Sequence, residues 1–331
     1  MDINTGISVI IPNYNGRDLL PQTLPYLYAA LGHSGLPYEI IISDDASSDE
    51  SAHYIRNTFP EIKLLVSDTN QGFSCAINKG IFAARYELLL LLNSDVKLTF
   101  NYFEKLPAYF SAADTFGVMG RITGWDDDEI QDGGKYPAFQ GVKIKTSGNY
   151  IPVNPDEDKR LYTMYLSGAN AMVSREKMYE LGGFDELFSP FYVEDFELSL
   201  RAWRLGWKCY YEHHAVCRHR TSATIKSESS KNFVKAVYYR NKMFLHAIHL
   251  TGYKSVIWYL QLLPEAIMQL FTGRKWFFSA LKMFFSSQKG IANSKEKFKK
   301  LAEKKSVNLS VHAVVNKILL CINKIRITKF K

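Results

Sequence analysis

The chain has 331 residues, 47% of them apolar, with 20 Tyr and 21 Phe, which allows a sizeable core and excludes general disorder. The net charge of +8 hides a division: residues 1–230 carry 21 Lys and Arg against 30 Asp and Glu, and residues 231–331 carry 20 against 3. An acidic body with a basic end points to two jobs, the second with an anionic partner.

The first residues, MDINTGISVIIP, contain no basic region and no long apolar run, so no secretory signal is expected. Cys75, Cys209, Cys217 and Cys321 lack CxxC or paired zinc spacing and read as buried, reduced thiols of a cytosolic protein. From residue 7, short apolar runs alternate with amphipathic stretches. Ile7–Ile11, Glu39–Ser43, Ile62–Val66 and Glu87–Leu92 read as strands. Leu19, Leu20, Leu24, Leu27 and Tyr28 have helical spacing, and Asn78–Arg85 reads as the tail of a second helix. Strands separated by helices predict an α/β fold with a parallel, helix-covered sheet, whose ligands sit at the carboxyl ends of the strands. Three such ends carry polar or acidic clusters: Asn13-Tyr14-Asn15, Asp44-Asp45 and Asn93-Ser94-Asp95.

Residues 117–165 are rich in Gly and Asp and suggest strands with long loops. Leu166–Asn170 is expected to lead into a helix over Ser174–Leu181. Phe191–Leu205 reads as a helix headed by Glu194-Asp195, followed by a strand at Gly206–Tyr211. No repeat is present. There is also no GxGxxG after the first strand and no Walker loop, which argues against dehydrogenase and P-loop readings.

The segments VIIPNYNG (9–16), SDDASSDES (43–51), NQGFSCAINKG (70–80), LLNSD (91–95), LSGAN (166–170), GGFDE (182–186) and YVEDFELSLRAWRLGW (192–207) stand in an order that resembles glycosyltransferase family 2. The branch they look most like is the bacterial, rhamnosyltransferase-like one. The likeness covers about residues 6–245. It implies a GT-A type nucleotide-binding mixed sheet flanked by helices over 1–245, with a basic helical extension over 246–331.

A nucleotide sugar presents a base, a diphosphate and a leaving glycosyl carbon. Asp45 can accept from a uracil or thymine ring N–H, and Tyr14 offers a flat face for the base; the resemblance gives the matching residues that role. Helix capping is the alternative for Asp44 or Asp45, with Asp44 the more structural of the two. The resemblance also places Pro12, Gly72, Asn78 and Asn93 on the donor side. Asn93-Ser94-Asp95 stands where the family has a DxD-type metal motif. Asn replaces the first acid, which leaves Asp95 as the carboxylate for Mg²⁺ or Mn²⁺; a plain strand-end turn is the alternative. His219, with Ser222 after it, matches a histidine that completes the metal site or touches the diphosphate, although His213, His214 and His246 compete for that assignment.

An inverting transfer needs one carboxylate to take the acceptor's proton. By the family pattern that is Asp195, with Glu194 shaping the acceptor site; acids at a helix N-terminus are also ordinary dipole partners. Gly168 and Ala169 fit a place where backbone approaches donor or acceptor closely, with a simple tight turn as the alternative. The absence of a QxxRW sequence favours single additions. A nucleotidyltransferase and a non-catalytic nucleotide-sugar binder are the competing readings.

In the basic end, Ser255–Phe271 is apolar but interrupted by Pro264-Glu265 and short for a span. Val307, Val311, Val314, Ile318, Ile322 and Ile325 recur at spacings of three and four, near the Lys295–Lys305 cluster. These features predict an in-plane anchor on an anionic membrane, or packing on the enzyme or on a second copy. Nucleic acid is not expected, since no recognised module accompanies the charge. The expected setting is peripheral, on the inner face of the cytoplasmic membrane, with a UDP- or dTDP-sugar donor and a glycan or lipid-linked acceptor.

Overall fold

The computed structural model describes residues 6–155, 159–220 and 230–331. In chain order the elements are β1 (Ile7–Asn13), α1 (Leu20–Ser34), β2 (Tyr38–Asp44), α2 (Ser51–Thr58), β3 (Lys63–Val66), α3 (Phe73–Ala83), β4 (Leu88–Leu92), β5 (Val96–Leu98), β6 (Thr115–Gly124), β7 (Ile130–Asp132), β8 (Gly134–Gln140), β9 (Lys143–Pro152), β10 (Leu161–Tyr162), β11 (Asn170–Ser174), α4 (Arg175–Leu181), α5 (Glu194–Arg204) and β12 (Lys208–His219). There follow α6 (Lys231–His249), α7 (Tyr253–Phe271), α8 (Lys275–Ser286), α9 (Gln288–Lys305), α10 (Val311–Ile322) and β13 (Ile327–Phe330).

Among the described residues the main sheet runs β10-β12-β6-β11-β4-β1-β2-β3, with β5 on β12 and β7 on β6. Neighbours from β4 to β3 are parallel, while β11 lies antiparallel between β4 and β6, which makes the sheet mixed. Period-two alternation divides the strand residues between its faces. Ile7, Val9 and Ile11 pack with Leu20, Leu24 and Leu27 of α1, and Ile10 packs on the opposite face with Ile77 and Ile81 of α3. Because both faces are covered, β4 is an unbroken run of buried leucines.

The helix expected over Ser174–Leu181 is present as α4, capped by Ser174, which accepts from Lys177 N, and the segment before it, Asn170–Ser174, is a strand. Two local expectations need correction. The helix bearing Glu194 starts at that residue, because Tyr192 and Val193 have φ of 72° and 74° and interrupt any helix through 191–193. Pro264 lies inside α7 and does not end it. The cysteines are all free; Cys209 and Cys217 are buried, whereas Cys75 and Cys321 are only half-buried.

The basic end folds against the body. Val311, Val314, Val315, Ile318 and Ile322 of α10 belong to the same buried cluster as Trp203 of α5 and Phe244 of α6, and β13 pairs with β9. Most of the stripe expected to face a membrane is therefore interior: Val314, Ile318 and Ile322 are fully buried, while Val307 at its start is exposed. Polar ties reinforce the junction. Arg204 donates to Leu309 O and Asn308 Oδ1, while His249 Nε2 lies 3.2 Å from Glu197, which also grips Arg201 through both carboxylate oxygens.

Candidate active site

The carboxyl ends of β1 and β2 are joined by side chains as well as by register. Asn13 Nδ2 donates to Asp44 Oδ2 at 2.8 Å, and Asp44 Oδ1 accepts from Ser47 N. Asp44 is thereby spent on holding two strand ends. Asp45, the next residue, turns the other way and accepts from Gln71 N at 3.0 Å and Gly72 N at 2.7 Å. Neither acid caps α2, whose N-cap position is Glu50. A carboxylate with about four acceptor sites retains capacity for a ligand N–H after these bonds. Gly72 has φ of +87°, and a Cβ there would stand 2.7 Å from Pro190 Cα, so only glycine lets the 70–72 loop pass this close to the 189–190 turn.

Beyond β4, Asn93-Ser94-Asp95 turns the chain into β5, which pairs antiparallel with β12 so that Val96 faces His219. That register brings His219 Nε2 to 3.2 Å from Asp95 Oδ1. The other three histidines lie elsewhere. His213 and His214 line a separate cavity of about 530 Å³, and His246 is buried on Lys242 O and Ile144 O, its pKa pushed down to about 4 by burial. Asp95 Oδ1 is buried and receives no well-formed hydrogen bond. An orphaned carboxylate oxygen beside an imidazole nitrogen suits a hard or borderline divalent cation. Among the described residues no group of three His, Cys, Asp or Glu is placed to hold a metal, so such a cation would depend on ligand oxygens for its other partners. Ser222 lies outside the described residues.

The third wall is the loop 188–193 and the start of α5. Tyr192 and Val193 both sit in the left-handed region, which is costly for a bulky or β-branched residue. Asn241 of α6, fully buried, holds them there: its Nδ2 donates to Phe188 O, Phe191 O and Tyr192 O at 2.6, 3.0 and 2.8 Å. The strained turn delivers Glu194 and Asp195 to the cleft at a helix N-terminus. Asp195 Oδ1 accepts from Phe196 N at 2.7 Å. Glu194 Oε2 is buried without a partner. Burial, then the neighbouring Asp195 charge, raises the Glu194 carboxyl well above the ordinary range. Asp195 is raised too, by burial, while the Phe196 N–H, Lys135 and the nearby Gly168 backbone act the other way. Burial thus raises both carboxyls of this adjacent pair, so that they share their protons, and Lys135 favours the charged form of Asp195.

One cleft of about 570 Å³ gathers Pro12, Tyr14, Asp45, Gly72, Asn93, Asp95, Gly168, Ala169, Glu194, Asp195 and His219. Gly168 has no room to spare, since a Cβ there would meet the Phe73 ring at 3.3 Å. Asn78 is not among these residues. Its amide donates to Phe184 O and Glu186 Oε1 and accepts from Phe184 N, which clamps the 183–186 loop onto α3 and leaves nothing for a donor. The motif reading missed the aromatic lining, Phe73, Phe191, Tyr192 and Phe233. It also missed Lys135 and Asn241, whose signals are one lysine in a glycine-rich stretch and an Asn following Tyr238-Tyr239-Arg240.

Residues 8–182, more than half of the chain, match the family described as Glycosyl transferase family 2. Residues 158–288 match Glycosyl transferase family group 2. The chain is 33% identical over 121 residues to an undecaprenyl-phosphate 4-deoxy-4-formamido-L-arabinose transferase of Edwardsiella ictaluri (strain 93-146). That stretch is 35% of this chain and spans 36% of the relative, about a third of its length. It is 27% identical over 194 residues to an uncharacterized glycosyltransferase of Bacillus subtilis (strain 168), covering 58% of this chain and 66% of that one. In fold it is similar to GalNAc-T7 solved with UDP, GalNAc and Mn²⁺, at a TM-score of 0.64 and 19% identity over 98% of this chain and 58% of the other. It is also similar to the mannosyltransferase PcManGT from Pyrobaculum calidifontis with GDP-Man and Mn²⁺, at 0.52 and 15% identity over 98% and 87%. The fold is of the GT-A type.

Proposed function

Because the chain belongs to glycosyl transferase family 2, we propose that it is an inverting, single-addition glycosyltransferase that moves a sugar from a UDP- or dTDP-sugar to a hydroxyl of a lipid-linked glycan. The observation that carries this reading is the gathering, in one cleft, of Asp45, the Asp95–His219 pair and the Glu194–Asp195 pair.

On the donor side, Asp45 accepts from the base and Tyr14 covers it. Asp95 and His219 would hold Mg²⁺ or Mn²⁺, with Asn93 beside them. That cation, when bound, neutralises the diphosphate and makes it a better leaving group. On the acceptor side, Asp195 takes the proton of the attacking hydroxyl as its oxygen bonds to the anomeric carbon opposite the departing nucleoside diphosphate. Protonated Glu194 donates to a neighbouring acceptor oxygen, a task open to a carboxylic acid only while it stays neutral. Gly168 and Ala169 present backbone where a side chain would crowd the acceptor.

The acceptor assignment is supported by the undecaprenyl-phosphate relatives and by the basic end, and it places the enzyme peripherally on the inner face of the cytoplasmic membrane. Among the described residues no helix is long and apolar enough to cross a membrane. The test is donor hydrolysis by the purified chain with Mg²⁺ or Mn²⁺ and a panel of UDP-, dTDP- and GDP-sugars. Release from one donor, dependent on metal and lost in Asp95→Ala, supports the reading. Absence of both release and nucleotide binding across the panel overturns it.

A further inference from the structure

The basic end has two apolar stripes, and the fold buries one and leaves the other in water. We propose that α7 is the docking element for an anionic lipid bilayer and lies in the membrane plane with its outer face among the acyl chains. This deepens the lipid-linked acceptor reading and rests on it for its purpose, though not for the binding itself.

Helix α7 is apolar on two opposite sides. Its inner side, Trp258 and Leu262, is buried; the Trp258 ring packs 5.8 Å from His246 of α6 and from Phe284 of α8. Its outer side carries Val256, Leu260, Leu263, Ile267, Leu270 and Phe271, all exposed, with Leu260 at 69%, Leu263 at 68% and Phe271 at 85%. Their spacing of three and four makes a continuous row about 22 Å long at helical rise. A lone exposed leucine is ordinary, but a row of this length marks an interaction surface.

Charge selects a lipid surface over a protein one. Residues 250–290 hold Lys254, Arg274, Lys275, Lys282 and Lys289 against a single acid, Glu265, and Glu265 is paired with Lys143. Arg274 and Lys275 are exposed just beyond Phe271, where the row ends, and the half-buried Trp276 follows them. Cations and an aromatic ring bordering an apolar strip match the headgroup and interfacial layers of an anionic bilayer. The interfacial ring at its end reaches back toward the cleft wall: Trp276 of α8 lies 4.6 Å from the Tyr239 ring, tilted by 47°, and the adjacent Tyr238 of α6 meets Tyr192 edge-on.

The experiment is cosedimentation of the full chain with phosphatidylcholine vesicles, with and without phosphatidylglycerol, comparing wild type with the triple variant Leu260→Glu, Leu263→Glu, Phe271→Glu. Circular dichroism and the thermal midpoint of both proteins show that the fold is kept. Wild type should bind the anionic vesicles, and the variant should bind them more weakly by on the order of tenfold or more. Undiminished binding by the variant overturns the proposal. So does a wild type that ignores vesicles and sediments as a dimer that the variant dissociates, which would make a second copy the occupant. Failure of the transferase reading would appear separately, as vesicle binding without nucleotide binding or donor turnover.

Discussion

Asn241, buried in α6, donates its side-chain amide to the Tyr192 carbonyl 2.8 Å away, two residues before Glu194. A helix from the C-terminal part of the chain thereby holds the turn that presents the carboxylate pair. Asn241→Ala leaves three loop carbonyls without this donor, and each unsatisfied buried group costs about 1–3 kcal/mol. Transfer rate should fall by about 10- to 100-fold, with metal-dependent nucleotide binding nearly unchanged, because Asp45 and Asp95 sit on other elements. Steady-state kinetics beside calorimetry checks this; a parallel loss of nucleotide binding would mean that the loop serves the whole cleft.

Asp195→Asn removes the proposed base while keeping its shape. Activity should drop by about 10²–10⁴-fold, the usual worth of a positioned base, while donor binding persists. A variant retaining more than a tenth of wild-type transfer would move the role elsewhere.

The pH profile follows from the same carboxylate. Asp195 is raised above the ordinary aspartate value by burial, and it must be ionised to accept a proton. The acid limb of kcat/KM should therefore lie above the range of an exposed aspartate, with activity rising as pH climbs through it. Lys135 counts among the groups that lower this pKa, so Lys135→Met should shift the limb to higher pH. A limb that stays put or moves down would contradict the electrostatic account.

Asp95→Asn and His219→Ala should each weaken nucleotide binding in the presence of Mn²⁺ and have little effect in chelator. If the deficit is as large without metal as with it, the pair contacts the nucleotide directly and does not act through a cation.

The two stripes of the basic end should respond very differently to truncation. Ile318→Ala, at a fully buried α10 position, should cost about 2–5 kcal/mol of stability. Leu260→Ala, on the exposed face of α7, should stay within about 0.5 kcal/mol. Urea unfolding of the two variants separates them.

The cleft residues at the strand ends were legible in the chain because they are local. Asp45 and Asn93–Asp95 follow directly on apolar runs that declare themselves as strands, and a parallel sheet puts strand ends on one side. The pair at 194 and 195 was singled out by its resemblance to a family motif, since acids at a helix start are by themselves ordinary dipole partners. What remained hidden depends on contacts distant in sequence. The choice of His219 over its three rivals rests on the pairing of β5 with β12, and no local pattern encodes that register. Asn78 was misassigned because its position in a motif says nothing of its direction, and it turns inward onto the 183–186 loop. Two amphipathic stripes near the end of the chain look alike as sequences. Only tertiary packing decided that α10 would fill the core beside Trp203 and that the outer face of α7 would be left in solvent, since periodicity defines an apolar face but not the surface that covers it.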